Sequence, residues 1–600
     1  MPLPTTRPEL AGSFGMVAST HWLASQAGMG VLERGGNAFD AAVAAGFVLQ
    51  VVEPHLNGPG GDLPVVLWSQ RDGRAHVVCG QGPAPRAATP AAFADLGLDA
   101  VPGTGLLAAV VPGAFGAWTL MLQRWGTMRL RDVLEPAIGY ARDGMPVIPG
   151  LAATISAVAG MFREEWTTSA AEYLPGGTVP AEWSRLRLPM LAATYERLLT
   201  EAEAASPDRE RQLEAARDSW YRGFVADRID TICRERAWLD SSGERHRGLL
   251  DGDDLARWQP GVEEPVSATY RGVEVLKTGP WGQGPVLLQA LTILDGLDLD
   301  GELVADDPQW QHLTLEASKL AFADREAWYG DPDHVDVPLR ALLSPEYAEE
   351  RRRLVDPNRA SHELRPGSPG GRRPRMPVPP ESVASPEGAA VGEPTVRTSG
   401  DTCHVDVADR WGNLVSATPS GGWLQSSPVV PGLGFPLGTR SQMFWLQDGL
   451  ASTLRPGARP RTTLSPSLAL RDGEPWLAFG TPGGDNQDQW SLVLILRLVH
   501  AAEAVRGAGP WTGLQAAIDA PMFHHEHAPS SFHPRSSSPG RVLIEERVPG
   551  RVRHELARLG HDLRTVDGWS LGRLSAVARD GGWLRAAANA RGAQGYAVGR

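Results

Sequence analysis

The sequence predicts an α+β fold of four layers, an αββα arrangement with helices on both outer faces of two stacked sheets. Three observations predict it. Helical periodicity fills residues 20–54 and most of 110–345. Strand patterns dominate from 402 onward, over 403–418, 441–446, 465–471 and 475–480. Helical patterns then return over 488–506 and 546–560. Strands bracketed by helical stretches bury their apolar faces most simply between those helices. A chain of 600 residues with 42% hydrophobic content supplies a large core.

Each element follows from local pattern. "HWLASQAGMGVLERGG" spaces its apolar residues by three and four and ends at the Gly35-Gly36 stop signal. "NAFDAAVAAGFVLQVVEP" is rich in alanine and ends at Pro54. "HLNGPGGDLPVVLW" is a glycine-rich turn feeding a strand. Asp62 in it reads as part of a tight turn, since the phosphate-cradling G-x-x-x-x-G-K is missing. "DVLEPAIGYARDG" and "WQHLTLEASKLAFADREAWYG" are amphipathic helices, and "YRGVEVLKTGP" is a strand. Residues 366–398 are rich in Pro, Gly and Ser. They cannot bury apolar area and predict a flexible surface segment. No internal repeat is evident.

Composition excludes several classes. Net charge is −13, and lysine occurs only at Lys277 and Lys319. An acidic chain lacks the basic face that nucleic acid requires. The longest apolar run, 41–52, is too short to span a bilayer. The N-terminal segment carries no apolar h-region, and Cys79, Cys233 and Cys403 form no CxxC pair, so a cytoplasmic protein with reduced thiols is expected. No cofactor is expected. "FHHEH" at 523–527 lacks the H-E-x-x-H spacing of a helical zinc site and reads as surface histidines, so no metal is expected either.

The chemistry concentrates at "SGDTCHVDVADRWGNLVSATPSGG", residues 399–422, a hairpin pattern that opens abruptly behind the 366–398 tether. A threonine hydroxyl is a poor nucleophile without a base, and no G-x-S-x-G or Ser-His-Asp pattern serves Thr402. A break between Asp401 and Thr402 would supply one. The new α-amine, with a pKa near ~8, is partly neutral at neutral pH and can activate the hydroxyl of its own residue. Cys403 points to the opposite strand face and reads as core. Asp401 reads equally as a participant in cleavage or as a loop carboxylate. "FGTPGGDNQDQW" places Gly483 and Gly484 between a strand and a helix, where successive N–H groups can converge on a developing oxyanion. "RPRTTLSPSLAL" adds the hydroxyls of Thr462, Thr463 and Ser465.

The run "GGNAFDAAVAAGFVLQVVEPHLNGPGG", then "DTCHVDVADRWGNLVSAT", "RPRTTLSPSLAL" and "GTPGGD", in that order, resembles the γ-glutamyltransferase family of N-terminal-nucleophile hydrolases. "YGDPD" at 329–333 and "DAPMFHH" at 519–525 are similar to further family signatures. The resemblance spans nearly the whole chain. It implies an αββα sandwich that cuts itself into a large subunit, 1–401, and a small subunit, 402–600. It implies Thr402 as nucleophile and base, a supporting hydroxyl at Thr418 or Ser420, and oxyanion donors at Gly483 and Gly484.

The departures lie in the pocket that would hold the acyl donor. Gln81, in "CGQGPAPRA", stands where the family places the arginine for the glutamyl carboxylate, with Arg86 out of register. "GTRSQMFW" offers Gln442 and Met443 where the family places an aspartate for the ammonium, and Gly422 replaces an asparagine. Thr462 and Thr463 match a paired-serine site. Arg440, Trp423 and Trp445 give a different, more aromatic pocket. The expected activity is cleavage of a γ-glutamyl or similar acyl bond through an acyl-Thr402 ester, with water favoured over an amine as acceptor. A non-glutamyl acylase, a C–C bond hydrolase of an antibiotic pathway, or an uncleaved binding protein are the alternatives.

Overall fold

The computed structural model describes residues 5–297, 299, 307–379, 401–504, 513–593 and 595–600. Two seven-stranded antiparallel sheets organise the chain. The first runs in the order Tyr596–Gly599, Gly15–Ser19, Val405–Asp409, Leu414–Ala417, Leu63–Ser69, Arg74–Gly80, Gly261–Glu263. The second runs Leu10–Gly12, Trp583–Ala588, Ser575–Asp580, Glu474–Gly480, Ser467–Arg471, Val273–Lys277, Val266–Tyr270. Central strands such as "LPVVLWS" are buried along their whole length, which explains their nearly continuous apolar sequence.

Three apolar clusters show where the core lies. One joins Val17, Val65, Val405, Val407 and Val415 of the first sheet to the helices Trp22–Glu33, Ala38–Val52 and Ala114–Trp125. Another joins Val275, Ala469, Leu477 and Phe479 of the second sheet to the helices Pro285–Leu294, Pro308–Trp328 and Gln487–Ala504. The third is shared by both sheets, with Met16, Val66, Val77 and Leu414 against Leu276, Leu468, Ala478, Val577 and Ala586. Alternation explains the partition. Val405 and Val407 face the helices, while His404 and Asp406 face the opposite way.

The helix Ala38–Val52 is buried at every position. Its start is fixed by a capping box between Asn37 and Asp40. The hairpin turn after Val405–Asp409 adds a second cap. One oxygen of Asp409 accepts the Ala38 N–H at 2.9 Å, and the same carboxylate accepts the Trp411 and Asn413 N–H groups and the Asn413 side-chain amide. One carboxylate thus orders a turn and a helix start together.

Several expectations change. The strand behind Asp401 begins at Val405, and Thr402 makes only an isolated antiparallel bridge to Ser420. Pro419 lies in the facing segment and has no N–H to continue the ladder, although its carbonyl accepts the Cys403 N–H. Residues 441–446 are not a strand. Arg440–Met443 forms a 3₁₀ turn, and Arg535 takes the carbonyls of Gln442 and Phe444 that a neighbouring strand would have used. The "FHHEH" histidines are not at the surface. His524, His525 and His527 are buried, because Phe523–His525 pairs with Arg541–Glu545 and His525 meets Ser318 at 3.0 Å. Of the segment expected to be flexible, residues 366–379 run along the body, tied by Arg372 to Asp336 and by Val378 to Gln447. Residues 380–398 lie outside the described residues, as do the last two residues of the helix expected over 488–506. Among the described residues, no helix is long and apolar enough to cross a membrane.

Asp409→Ala leaves buried N–H donors of a turn and a helix start without an acceptor. Each hydrogen bond to a charged group contributes ~1.5–3 kcal/mol. The substitution is expected to lower unfolding free energy by at least ~3 kcal/mol, measured by the urea midpoint at unchanged m-value.

Candidate active site

Three short segments lie side by side at the site. Ser420 is central. Its backbone exchanges hydrogen bonds with Asp62, at 2.8 and 3.1 Å, and bridges Thr402 on the other side. Residues directly opposed in antiparallel pairing put their side chains on one face. Asp62, Ser420 and Thr402 therefore share a face, and all three are buried.

The hydroxyls on that face are in contact. Thr402 Oγ1 donates to Ser420 Oγ at 3.3 Å, and Ser420 Oγ donates to the main-chain carbonyl of Asp401 at 3.0 Å. A donor on that carbonyl oxygen polarises the carbonyl that joins Asp401 to Thr402. The Asp401 carboxylate accepts the Thr402 N–H at 2.9 Å and forms an ion pair with Arg573. Of the two expected supporting hydroxyls, Ser420 touches Thr402. Thr418 instead meets His404 Nδ1 at 2.9 Å.

Behind this face lies a second polar layer. His404 Nε2 meets Asp406 at 2.9 Å, and the other Asp406 oxygen accepts from Ser575 of the second sheet, also at 2.9 Å. A Cβ on Gly480 would lie 2.3 Å from the His404 ring. The end of the Glu474–Gly480 strand thus rests on His404, two residues from Thr402, and the loop bearing Gly483 and Gly484 starts there. Gly483 has φ +123°, and a Cβ there would meet the Trp490 ring at 2.8 Å. Both facts demand glycine. The helix Gln487–Ala504 begins three residues after Gly484, with its N-terminal N–H groups at the loop.

Two of the residues expected to hold a donor, Arg440 and Thr462, meet at Asp62. Arg440 Nε contacts both Asp62 oxygens, at 3.1 and 3.0 Å, and the Thr462 hydroxyl bonds the same carboxylate. Burial nevertheless pushes the Asp62 carboxyl above its ordinary range, against the pull of Arg440. Thr463 is buried with its hydroxyl lacking a partner among the described residues. Gln81 follows Gly80, which pairs with Leu63, the residue after Asp62, and its amide donates to the Gly82 carbonyl at 3.3 Å. Arg86 stands apart, bonded to Asp254 at 3.0 Å. Met443 packs with Trp423 and Phe532.

Pattern reading passes over three features. Asp62 was assigned to a plain turn, because its partner Arg440 lies 378 residues away. Glu53 ends the helix preceding the glycine-rich turn and carries no local signal of its role. It accepts from Thr20 Oγ1 at 2.6 Å and from Cys403 Sγ at 3.0 Å. Cys403 is buried as expected, but against this carboxylate rather than in apolar surroundings alone. The His404–Asp406 pair is the third, although i and i+2 on a strand share a face and that spacing is its signal. Away from the site, ligand atoms of His312, Glu316 and His561 lie within 4.8 Å of one another. They are already engaged: His312 meets His561 at 2.9 Å and the Asp356 carbonyl at 2.8 Å, and Lys319 bonds Glu316 at 2.5 Å.

The sheet pair and the buried hydroxyls beside a polarised main-chain carbonyl agree with the resemblance to the N-terminal-nucleophile hydrolases. Within that class, the chain belongs to the gamma-glutamyltranspeptidase family, whose sequence model matches residues 24–599. The solved structure of LmbA2991T421A is 55% identical, covers all of both chains and superposes with a TM-score of 0.94. The acylase ACY 1 proenzyme of Pseudomonas sp. (strain SE83) is 32% identical over 564 residues, 92% of this chain and 87% of its own. The glutathione hydrolase proenzyme of Bacillus subtilis (strain 168) is 30% identical over 567 residues, 92% of this chain and 86% of its own.

Burial pushes the Glu53 carboxyl from its ordinary 4.5 up to about 7, against the bonds from Thr20 and Cys403. The folded state then binds more protons than the unfolded state between those values. Stability from this group is intact below pH 4.5 and is lost as pH rises towards 7. Glu53→Gln removes the titration and keeps the shape. Its stability relative to the parent is expected to rise by on the order of 1–3 kcal/mol across that window, measured by urea unfolding at a series of pH values.

Proposed function

We propose that this protein is a self-processing acyl hydrolase. In this reading it cuts its own 401–402 bond, and residues 1–401 and 402–600 remain together as one αββα sandwich. The observation that carries the reading is the Ser420 hydroxyl, which touches both the Asp401 carbonyl oxygen and the Thr402 hydroxyl. Attack by Thr402 Oγ1 on that carbonyl carbon moves the acyl group from nitrogen to oxygen, and the nitrogen gains the proton. Water then hydrolyses the ester and leaves Thr402 with a free α-amine. In catalysis that amine takes the hydroxyl proton as Oγ1 attacks a substrate carbonyl. The N–H groups of Gly483 and Gly484 stabilise the oxyanion, and the leaving group departs with the proton. Water resolves the acyl-Thr402 ester. Hydrolysis is favoured over transfer to an amine because no clamp for an amino-acid acceptor can be read from the sequence. The three cysteines are free and buried, which supports a reducing compartment such as the cytoplasm.

Processing is the first test. Purified protein should run as two fragments of about 43 and about 21 kDa, by proportion of length in a 64.3 kDa chain. The smaller should begin Thr-Cys-His. Thr402→Ala should remain one folded, inactive chain. An intact parent chain would instead support a non-catalytic binding protein.

Acyl specificity separates this chain from a glutathione hydrolase. A γ-glutamyl group brings an α-carboxylate and an α-ammonium, and each needs a charged partner when desolvated. Gln81 and Met443 stand where the family resemblance calls for those partners, and Arg86 is held by Asp254. The Pseudomonas relative is named an acylase, which supports a donor other than glutathione. A C–C bond hydrolase remains the second reading on the same altered pocket. Steady-state kinetics on a γ-glutamyl anilide should give kcat/KM well below the ~10⁴–10⁸ M⁻¹s⁻¹ usual for an enzyme on its own substrate. A value inside that range would show a rebuilt glutamyl clamp.

A further inference from the structure

We propose that Asp401 and Arg573 belong to the self-cleavage machinery: the Asp401 carboxylate captures the amine released from the 401–402 peptide bond, and Arg573 holds that carboxylate in place. The inference rests on the self-processing reading above and adds a role for each residue to it. One oxygen of Asp401, Oδ1, accepts the Thr402 N–H at 2.9 Å and also takes the Arg573 guanidinium. The bond to be cut is therefore held at both ends, by the Ser420 hydroxyl on its carbonyl oxygen at 3.0 Å and by Asp401 on its nitrogen.

A side chain that turns back onto the next residue's N–H must keep one rotamer, and the Asp401 side chain is only partly buried. Arg573 supplies the constraint from an anchored loop. The Leu571 N–H donates to Glu545 at 3.1 Å. The Leu574 carbonyl accepts from the Asn589 N–H at 3.0 Å and from its side-chain amide at 2.9 Å. Ser575 bonds Asp406 at 2.9 Å. Arg573 lies between these fixed points, so the second sheet sets where Asp401 points.

The chemistry gives that placement a use. Thr402 Oγ1 bonds to the Asp401 carbonyl carbon and the C–N bond breaks. The hydroxyl proton ends on the nitrogen, and a further proton from solvent makes it an ammonium. A neutral amine would attack the new ester and restore the peptide, whereas an ammonium has no lone pair for that return. A carboxylate attracts a full ammonium charge more strongly than an amide dipole. Asp401 thus favours the ester over the uncut peptide, and binding that strengthens along the reaction path accelerates it. Arg573 repels the ammonium, so its contribution is the placing of Asp401. Water then adds to the ester carbon, Oγ1 regains its proton, and residue 401 departs as a new C-terminus. The carboxylate leaves with it. One fixed beside the amine would keep it protonated and useless as a base for later catalysis; one carried on residue 401 removes itself.

The test follows the full chain through cell-free synthesis, with a labelling pulse and a chase, and reads on a gel the rate at which the 64.3 kDa chain becomes two fragments. Asp401→Asn keeps the shape and an acceptor but removes the charge, and should slow cleavage by about 10-fold or more. Arg573→Ala should slow it to a similar degree. Arg573→Lys should stay within a few-fold of the parent. Added guanidinium ion at a non-denaturing concentration should speed Arg573→Ala, and urea at the same concentration should not. If Arg573 acts through Asp401, D401N/R573A cleaves as fast as Asp401→Asn to within about 2-fold. Asp401→Asn at the parent's rate would overturn the proposal with the self-processing reading intact. An Arg573→Ala effect that persists in full on the Asp401→Asn background would overturn the role of Arg573. Uncut chains are checked by gel filtration, and if Arg573→Ala does not fold, Asp401→Asn and Arg573→Lys decide. A parent chain that never cleaves would overturn the self-processing reading, and this proposal with it.

Discussion

Ser420 is the residue on which the geometry of the site depends. Its backbone locks to Asp62, its side chain touches the Asp401 carbonyl oxygen and the Thr402 hydroxyl, and its position fixes which face those side chains share. The pairing requires very close backbone approach. A Cβ on Gly61 would lie 2.1 Å from the Ser420 carbonyl oxygen. The glycines of "NGPGGD" are therefore a packing requirement of the strand-like contact, not a flexible loop. Any side chain at Gly61 would push Asp62 away from Ser420 and carry Arg440 with it.

The same region joins the two sheets through polar contacts instead of apolar ones. Asp406 of the first sheet accepts from Ser575 of the second at 2.9 Å. Ser416 donates to the Phe479 carbonyl at 3.2 Å and accepts the Ser467 N–H at the same distance. Satisfied buried groups of this kind fix register, because any sliding of one sheet on the other would leave them unpaired. The Val405–Asp409 strand lies between Gly15–Ser19 and Leu414–Ala417. Strands from before and after residue 401 are thus interleaved within one sheet. A break before Thr402 would divide the chain without dividing its core, and the fragments would have no apolar surface to gain by separating.

Local pattern carried the helices and the Val405–Ala417 hairpin, because each rests on periodicity or on residues close in sequence. It failed where a long-range partner overrides local preference. "GTRSQMFW" has the β-rich composition of a strand, yet Arg440 is drawn to Asp62 and Arg535 takes its carbonyls. "FHHEH" looks like a polar surface run, yet pairing with Arg541–Glu545 and contact with the helix Pro308–Trp328 bury it. The sequence singles out Arg440, but not its orientation. That depends on Asp62, and only the folded chain brings the two together.

The loop bearing Gly483 and Gly484 rests on a network of buried charge. Arg325 pairs with Glu326 and Asp485, Arg461 bonds Glu326 at 2.8 Å, and Asp485 also accepts from Ser531. One turn into the helix, Lys277 reaches Asp488 at 3.1 Å, and Ser465 donates to the same oxygen at 2.6 Å. Burial works against the charge on Lys277, and its attraction to Asp488 works for it. Pairs this deep contribute little net stability, since desolvation offsets most of the attraction, but removing one member leaves a buried unpaired charge at a cost of ~3–5 kcal/mol. Their effect here is positional. Asp485 follows Gly484 directly, and Asp488 sits in the first helical turn, so anchoring both carboxylates leaves the two glycine N–H groups little freedom to reorient. The chain has only two lysines, and both are buried in pairs, Lys277 with Asp488 and Lys319 with Glu316. Arginine serves nearly everywhere else as the cation. At both sites the ammonium's rotatable donors reach several acceptors, Lys277 meeting Asp488, the Ser465 carbonyl and the Ser467 hydroxyl, and Lys319 meeting Glu316 and the Ser361 carbonyl.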